Sequence, residues 1–360
     1  MSKVVFIIGA GASVCTGAPI IKNFLKSAQD LFEQGHVEDS KEDFISVFKT
    51  ISEMQKVHIK STIDLDDIEV VLAALEIAKI IQPRLSIEFV PIIPIFKRMI
   101  LKTLEKRIFF PYDIQGKILT HKDYTDFISL IKTLKQYKHQ DSSIISFNYD
   151  LNIDIALQKN HIKPIYYLNE SFDCSYIHDI PLLKLHGSLN WIECDRCNTI
   201  NYFDIKKITE AVFEKKKNGN YNIDISDFLK GLTCIGCKSS IIETEPIIVP
   251  PLFNKSDHHL KLQNVWQKAS KELAEADSIV VIGYSLRESD YFFKYLYALG
   301  TISDTRLKRF IVVNPDGSVA NIFRERLIGG DVINKFHSVC SNFENCKTQL
   351  IHLFEVFPRK

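Results

Sequence analysis

The sequence predicts an α/β fold: a parallel sheet with helices on both faces, a helical insertion and a small zinc-binding module. Three observations predict it. Runs rich in β-branched residues recur at Val4–Ile8, Ser143–Phe147, Leu182–Leu185, Ser278–Ile282 and Phe310–Val313, each ending in small or polar residues. Strands this continuously apolar suit a parallel sheet buried on both sides. Helical spacing lies between several of them, and four cysteines form two Cys-x-x-Cys pairs.

A chain of 360 residues with 46% hydrophobic side chains can bury one large domain with insertions, or two domains. Its 45 Lys+Arg nearly cancel 44 Asp+Glu, so no whole-molecule field draws it to nucleic acid or an anionic membrane. The first apolar run, Val4–Ile8, is too short for a signal peptide or a spanning helix. The longer stretch Val90–Leu101 is broken by Pro91, Pro94, Lys97 and Arg98. A soluble, cytoplasmic protein is expected, with no membrane contact and no direct nucleic-acid binding. A reducing compartment also fits the eight cysteines better than disulfides do, and Cys15, Cys174, Cys340 and Cys346 read as plain buried thiols.

Val4–Ile8 runs directly into Gly9-Ala10-Gly11-Ala12-Ser13, with Gly17-Ala18-Pro19 beyond. Glycine after a buried strand lets backbone turn sharply, approach a pyrophosphate and offer it free amides. An ordinary tight strand–helix turn is the other reading, and Val14 breaks the dinucleotide-binding Gly-x-Gly-x-x-Gly spacing. From about 20 to 120 the periodicity is helical, as in Ile68, Val71, Leu72, Leu75 and Ile80, which predicts a helical insertion. Thr62, Asp64, Asp66, Asp67 and Glu69 resemble a helix start. Phe127, Leu130, Ile131 and Leu134 predict a helix over Asp123–Tyr137.

A second insertion, about 190 to 245, holds both cysteine pairs and the Lys- and Asn-rich stretch 214–220, read as a solvated loop. Cys194, Cys197, Cys234 and Cys237 form two knuckles whose four sulfurs would enclose one tetrahedral zinc ion, leaving no position for water. Such an ion is structural. The gap between the pairs is long, and the excess falls in the loop, where length costs little.

Three strand ends carry polar residues where nucleotide-binding sheets hold their ligand: Phe147-Asn148-Tyr149-Asp150, Lys184-Leu185-His186-Gly187 and Gly283-Tyr284-Ser285-Leu286, with Asn314 after the last strand. His186 alone would read as a buried, satisfied histidine. Together with the Gly-Ala-Gly loop, the Gly-x-Pro and the four cysteines, these motifs resemble the sirtuin family in content and order over roughly 4 to 316. The resemblance implies a Rossmann-like NAD-binding domain over 1–316, interrupted by the helical insertion 20–120 and the zinc module 190–245. It implies that Gly9, Ala10, Gly11 and Ser13 line the pyrophosphate and ribose loop, and that Gly283, Ser285 and Asn314 face the adenosine half. It further implies that Asn148 and His186 flank the nicotinamide ribose and that Asp150 holds the carboxamide.

The chemistry of those residue types agrees. Breaking the nicotinamide–ribose bond expels a neutral group, so what helps is an oriented nucleophile and a base near neutrality. Histidine is such a base. An asparagine amide orients water or a hydroxyl without adding charge.

Two departures separate the chain from the sirtuin deacetylases. Pro19 is followed by Ile20-Ile21-Lys22 in place of Asp-Phe-Arg, and Pro250-Pro251, within 248–254, stand where the family pairs with an acetyl-lysine peptide. Proline removes a donor that an added strand would use. Pro250-Pro251 and the stretch Gly283–Asp290 are similar to the bacterial antiviral-defence branch, whose members hydrolyse NAD. That branch implies NAD as substrate, homo-oligomers, a partner protein such as an ATPase, and restraint by the helical insertion and partners until infection. Two alternatives stand beside NAD hydrolysis: an NAD-dependent protein deacylase or ADP-ribosyltransferase, and a non-catalytic subunit that binds NAD or ADP-ribose. The segment 317–360, with Phe343, Phe354 and Phe357, is expected to cap the fold, join an oligomer interface, or pack into the core.

Overall fold

The computed structural model describes residues 2–57, 63–81, 92–169, 179–212, 220–241, 245–249, 261–287, 290–300 and 307–355. The Pro250-Pro251 stretch, the loop residues 214–219, His258-His259, Cys174 and Phe357 lie outside them. Among the described residues no helix is long and apolar enough to cross a membrane.

Seven parallel strands form the central sheet: β1 (Ser2–Ile8), β2 (Gln140–Ser146), β3 (Pro164–Ile165), β4 (Ile180–Lys184), β5 (Ser278–Ile282), β6 (Arg309–Val313) and β7 (Phe336–Val339). Their order across the sheet is β7-β6-β5-β1-β2-β4-β3. All neighbouring pairs are parallel, as continuous apolar runs require. Val4 to Ile8 of β1 are fully buried on both faces, and Phe6 meets Phe127 edge-on at 5.1 Å.

After β1 the chain builds outward through β2, and after β4 it returns to the other side of β1 with β5. The two strands meeting at that reversal, β1 and β5, open a crevice at their carboxyl ends, the place where open α/β sheets take ligands.

The helical insertion comprises α1 (Phe24–Glu33), α2 (Lys41–Val57), α3 (Ile68–Ile81) and α4 (Ile92–Arg107). Around the sheet follow α5 (Lys122–Lys138), α6 (Asn152–Lys159), α7 (Gln263–Ala274), α8 (Tyr291–Gly300), α9 (Ser318–Arg326) and α10 (Cys346–Leu353), which give the Rossmann-like layering expected from sequence. Helix α5 matches the predicted Asp123–Tyr137 to within a residue at each end.

The two insertions are not separate bodies. Phe44, Val47, Phe96 and Met99 of the helices share one buried cluster with Ile192, Cys194, Phe203, Leu229 and Cys234 of the cysteine segment. Phe110–Pro111 pairs antiparallel with Asn220–Tyr221, and the Asn222 amide donates to the Lys106 and Ile108 carbonyls at 3.0 and 2.8 Å, capping the end of α4. Arg98 forks onto Asp43 at 2.7 and 2.9 Å and reaches Glu245 at 3.3 Å. A second core therefore stands beside the sheet.

The segment 317–360 contributes to the sheet itself. Phe336–Val339 is one of the two edge strands, and Phe343 and Phe354 are buried in the sheet core.

Candidate active site

The carboxyl ends of β1, β2, β4, β5 and β6 converge on a cavity of about 660 Å³. Ala10, Gly11, Ser13, Asn148, Asp150, His186, Gly283, Ser285 and Asn314 all line it. Gly9 stands just behind, and its carbonyl accepts from the Asn148 amide at 3.0 Å. The helical insertion supplies one wall through Phe24, Ile68, Glu69, Ile100 and Leu104.

Glycine is needed where the β1 and β5 loops touch. A Cβ on Gly9 would fall 2.5 Å from Tyr284 Cα, and one on Gly283, whose φ is +63°, 2.4 Å from the Ala12 nitrogen. Backbone amides of the β1 loop are bonded within this region. The Gly9 amide donates to Ile282, the Gly11 amide to Gly283 and the Ala12 amide to Gly9, at 2.9 to 3.0 Å. Ala10, Gly11 and Ser13 border the cavity, and the Gly9, Gly11 and Ala12 N–H groups bind backbone.

Ser13 is a hub. Its hydroxyl donates to Asp150 Oδ2 at 2.6 Å and accepts from Asn148 Nδ2 at 2.9 Å and from the Tyr124 hydroxyl at 2.8 Å. One donor and two acceptor sites are thereby filled. Ser13 fixes Asn148 and Asp150 in place. With both its N–H groups engaged, by Gly9 and Ser13, Asn148 turns an acceptor, its Oδ1, to any ligand. Asp150 also accepts from the Asn152 amide at 3.0 Å, and burial raises its carboxyl above the ordinary range.

Below the site, the buried Lys184 ammonium lies 3.3 and 2.6 Å from the Tyr149 and Asp150 carbonyls, 3.1 Å from Asp154 and 2.6 Å from Ser188, four acceptors that share its three N–H groups. It anchors the loop that carries Asn148 and Asp150.

His186 follows β4 and precedes Gly187, whose φ of +89° and close approach to the Ile247 carbonyl admit no side chain. Its own carbonyl accepts from Val249 at 2.8 Å. The imidazole lies edge-on to Phe147 at 5.1 Å, and its Nε2 is 3.6 Å from Asp290 Oδ1. Tyr284 stacks on Phe147 at 4.1 Å and donates to Asp290 Oδ2 at 2.9 Å. Asp290, fixed by Tyr284, is thus the carboxylate that faces the histidine. It ends the stretch Gly283–Asp290, and nothing in its spacing shows which way it faces. Tyr124, Lys184 and the pairing of Arg287 with Asp67 and Glu69 of the helical wall were also unforeseen, each joining segments far apart in sequence.

The second site lies in the cysteine segment. The four sulfurs of Cys194, Cys197, Cys234 and Cys237 all lie within 4.8 Å of one another, with 3.7 Å between Cys194 and Cys237 and 3.5 Å between Cys197 and Cys234. A tetrahedral zinc with Zn–S near 2.3 Å needs edges of about 3.8 Å. The donor set fits. Each knuckle closes on a left-handed residue, Asn198 and Lys238, and places a hydroxyl residue two positions after its second cysteine. Hydrogen bonds from Thr199 pull Cys197 down to about 6 and those from Ser239 lower Cys237, which favours thiolates at these two positions, whereas Cys194 is pushed up to about 11.

No family profile and no curated protein matches the sequence. Among solved structures, the chain is similar to a Sir2 homologue in complex with NAD, at 14% identity and a TM-score of 0.42, covering 98% of this chain and 89% of that one. It is also similar to a mutant Sir2 homologue in complex with ADP-ribose, at 13% identity and 0.42, covering 99% and 95%. Similarity at this level leaves the site to be read from its own geometry.

Proposed function

We propose that the chain is an NAD glycohydrolase, which cleaves the nicotinamide–ribose bond and gives nicotinamide and ADP-ribose. The observation that carries this reading is the convergence of Asn148, Asp150 and His186, from two neighbouring strand ends, on the cavity that the β1 and β5 loops border.

In this reading Asp150, held by Ser13 and Asn152, accepts from the carboxamide of the nicotinamide. The C–N bond breaks with its electron pair leaving on nicotinamide, so the ring nitrogen becomes neutral and no strong general acid is needed. Water adds to the ribose carbon. Asn148 Oδ1 accepts a hydrogen bond from that water or from a ribose hydroxyl, and His186, oriented by Asp290, takes the proton water releases. Gly283, Ser285 and Asn314 border the adenosine end, and Ala10 and Gly11 the phosphates. The four cysteines hold a structural zinc ion that takes no part in the reaction.

The resemblance to the antiviral-defence branch extends the proposal to NAD depletion during infection, by a homo-oligomer working with a partner protein. Incubation of the purified chain with NAD, alone and with its genomic neighbours, should release nicotinamide detectable by chromatography. Asn148→Ala and His186→Ala should each lower the rate by roughly 10²-fold or more, the scale of general-base and positioning effects. Unchanged rates in both variants would sink the assignment, and release that requires an acyl-peptide or a target protein would turn it to the deacylase or transferase alternative. Tight NAD or ADP-ribose binding with no product would favour a binding subunit.

A further inference from the structure

At the border of the cavity three side chains of differing chemistry meet. Cys15 lies in the turn after β1, His121 at the N-cap of α5 and Asp123 in that helix's first turn. A sulfur, a ring nitrogen and a carboxylate oxygen from these residues all lie within 4.8 Å of one another. Asp123 is 4% exposed.

Their contacts are poor ones for hydrogen bonding. His121 Nδ1 is buried and has no hydrogen-bond partner, although Asp123 Oδ2 stands 3.4 Å away. That separation is long for a charge-assisted bond, which runs at about 2.7–2.9 Å. It matches the edge of about 3.3 Å between nitrogen and oxygen ligands that share a tetrahedral ion at 2.0–2.1 Å. The Cys15 thiol contacts the Ala12 carbonyl at 3.3 Å and also hydrogen-bonds Asp123, weak interactions for sulfur whose proton a metal ion would replace.

We propose that Cys15, His121 and Asp123 bind a zinc ion, separate from the four-cysteine cluster, through Sγ, Nδ1 and a carboxylate oxygen. One thiolate and one carboxylate neutralise the divalent charge, and the neutral imidazole completes the protein set. Binding expels the thiol proton to solvent. Burial, with Asp123 close by, raises this thiol in the absence of metal, so the ion must displace that proton. Three protein ligands leave a fourth position, the pattern of exchangeable rather than closed zinc sites. Cys15 lines the 660 Å³ cavity, so that position is within reach of water or of an anionic group held there.

The test counts ions. The full chain, stripped with chelator and reloaded with Zn²⁺, is desalted and its zinc per chain measured by atomic emission, alongside Cys15→Ala, Asp123→Asn and Cys197→Ser. Cys15→Ala and Asp123→Asn should each hold one zinc fewer than the unaltered chain. That difference does not depend on what the four-cysteine cluster holds, which Cys197→Ser reports separately. Equal zinc in the unaltered chain and both variants overturns the proposal. Should the variants fail to fold, Co²⁺ titration of the unaltered chain decides. Two saturable phases, one with weaker sulfur-to-cobalt absorption than four thiolates give, support the site, and a single phase of four-thiolate intensity overturns it.

Discussion

The sheet core is held by burial along continuous strands, whereas the second core is assembled from two distant stretches of chain and fastened by polar groups. In the sheet, Val4–Ile8 and Ile279–Ile282 are fully buried, and the polar residues gather at the strand ends where the cavity opens. In the second core, helices from 24–107 pack against 189–248 through the cysteine cluster, the Arg98 fork to Asp43 and Glu245, and Lys102 with Asp39, Glu105 and Asp224. The lesson is a division of labour. The groups proposed to act on NAD sit on the sheet body, and the other body supplies the wall that faces them.

The largest effect should come from the cysteine cluster. Folding energies of zinc peptides are on the order of 10 kcal/mol, an upper bound here because the helices also pack by themselves. Chelation, or Cys234→Ser, should remove hydrogen-exchange protection from α2 and α4 and leave β1, β5 and β6 protected. Loss spread evenly over both bodies would show that they are one cooperative unit and break the comparison.

Next in size is the buried pair below the site. Lys184→Met removes the counter-charge of Asp154 and leaves this buried carboxylate to the Tyr166 hydroxyl at 2.5 Å, a kind of loss that typically costs about 3–5 kcal/mol. The added change Asp154→Leu should recover much of it, as replacing both members of a buried pair often does. Urea denaturation reads both. A loss below about 1 kcal/mol for Lys184→Met would place the stability of the sheet core in its strands alone.

What the sequence revealed follows the same division. The strands were legible because burial on both faces leaves an unbroken apolar run: Ser278–Ile282 has the bounds expected, and β1, β2, β4 and β6 differ by up to three residues at an end. The edge strands β3 and β7 carry no such run: Pro164–Ile165 is two residues long, and Phe336–Val339 is short, with an exposed His337 and Ser338. The site residues stood out by their place at strand ends. Their internal bonding did not, since a serine after a glycine loop looks the same whether it awaits a ligand or, like Ser13, already has three partners. The docking of the two insertions depends on contacts such as Arg98 with Glu245 and Asn222 with Lys106, separated by more than a hundred residues, which local pattern does not encode.

The smallest effect is a pH dependence confined to the second core. Glu105 is pushed up to about 7, first by burial and then by Asp224, while Lys102 and the Ile225 amide pull the other way. The unfolded chain holds this carboxyl at about 4.3. The folded state therefore binds the proton more tightly, so the associated stability is full below the unfolded value and is lost as pH rises through about 7. At 1.36 kcal/mol per pH unit the whole loss is on the order of 3 kcal/mol. Glu105→Gln keeps an acceptor for the Ile225 amide, which donates to Glu105 at 2.8 Å, and cannot ionise. The difference in melting temperature between this variant and the parent should be small at pH 5 and grow in the variant's favour up to pH 8. Because both proteins carry the same cysteines, subtraction removes any contribution from thiolate protonation. A flat difference would mean that Lys102 keeps Glu105 ionised throughout, making the cluster of Lys102, Asp39, Glu105 and Asp224 a standing ion-pair network and the second core as indifferent to pH as the strands beside it.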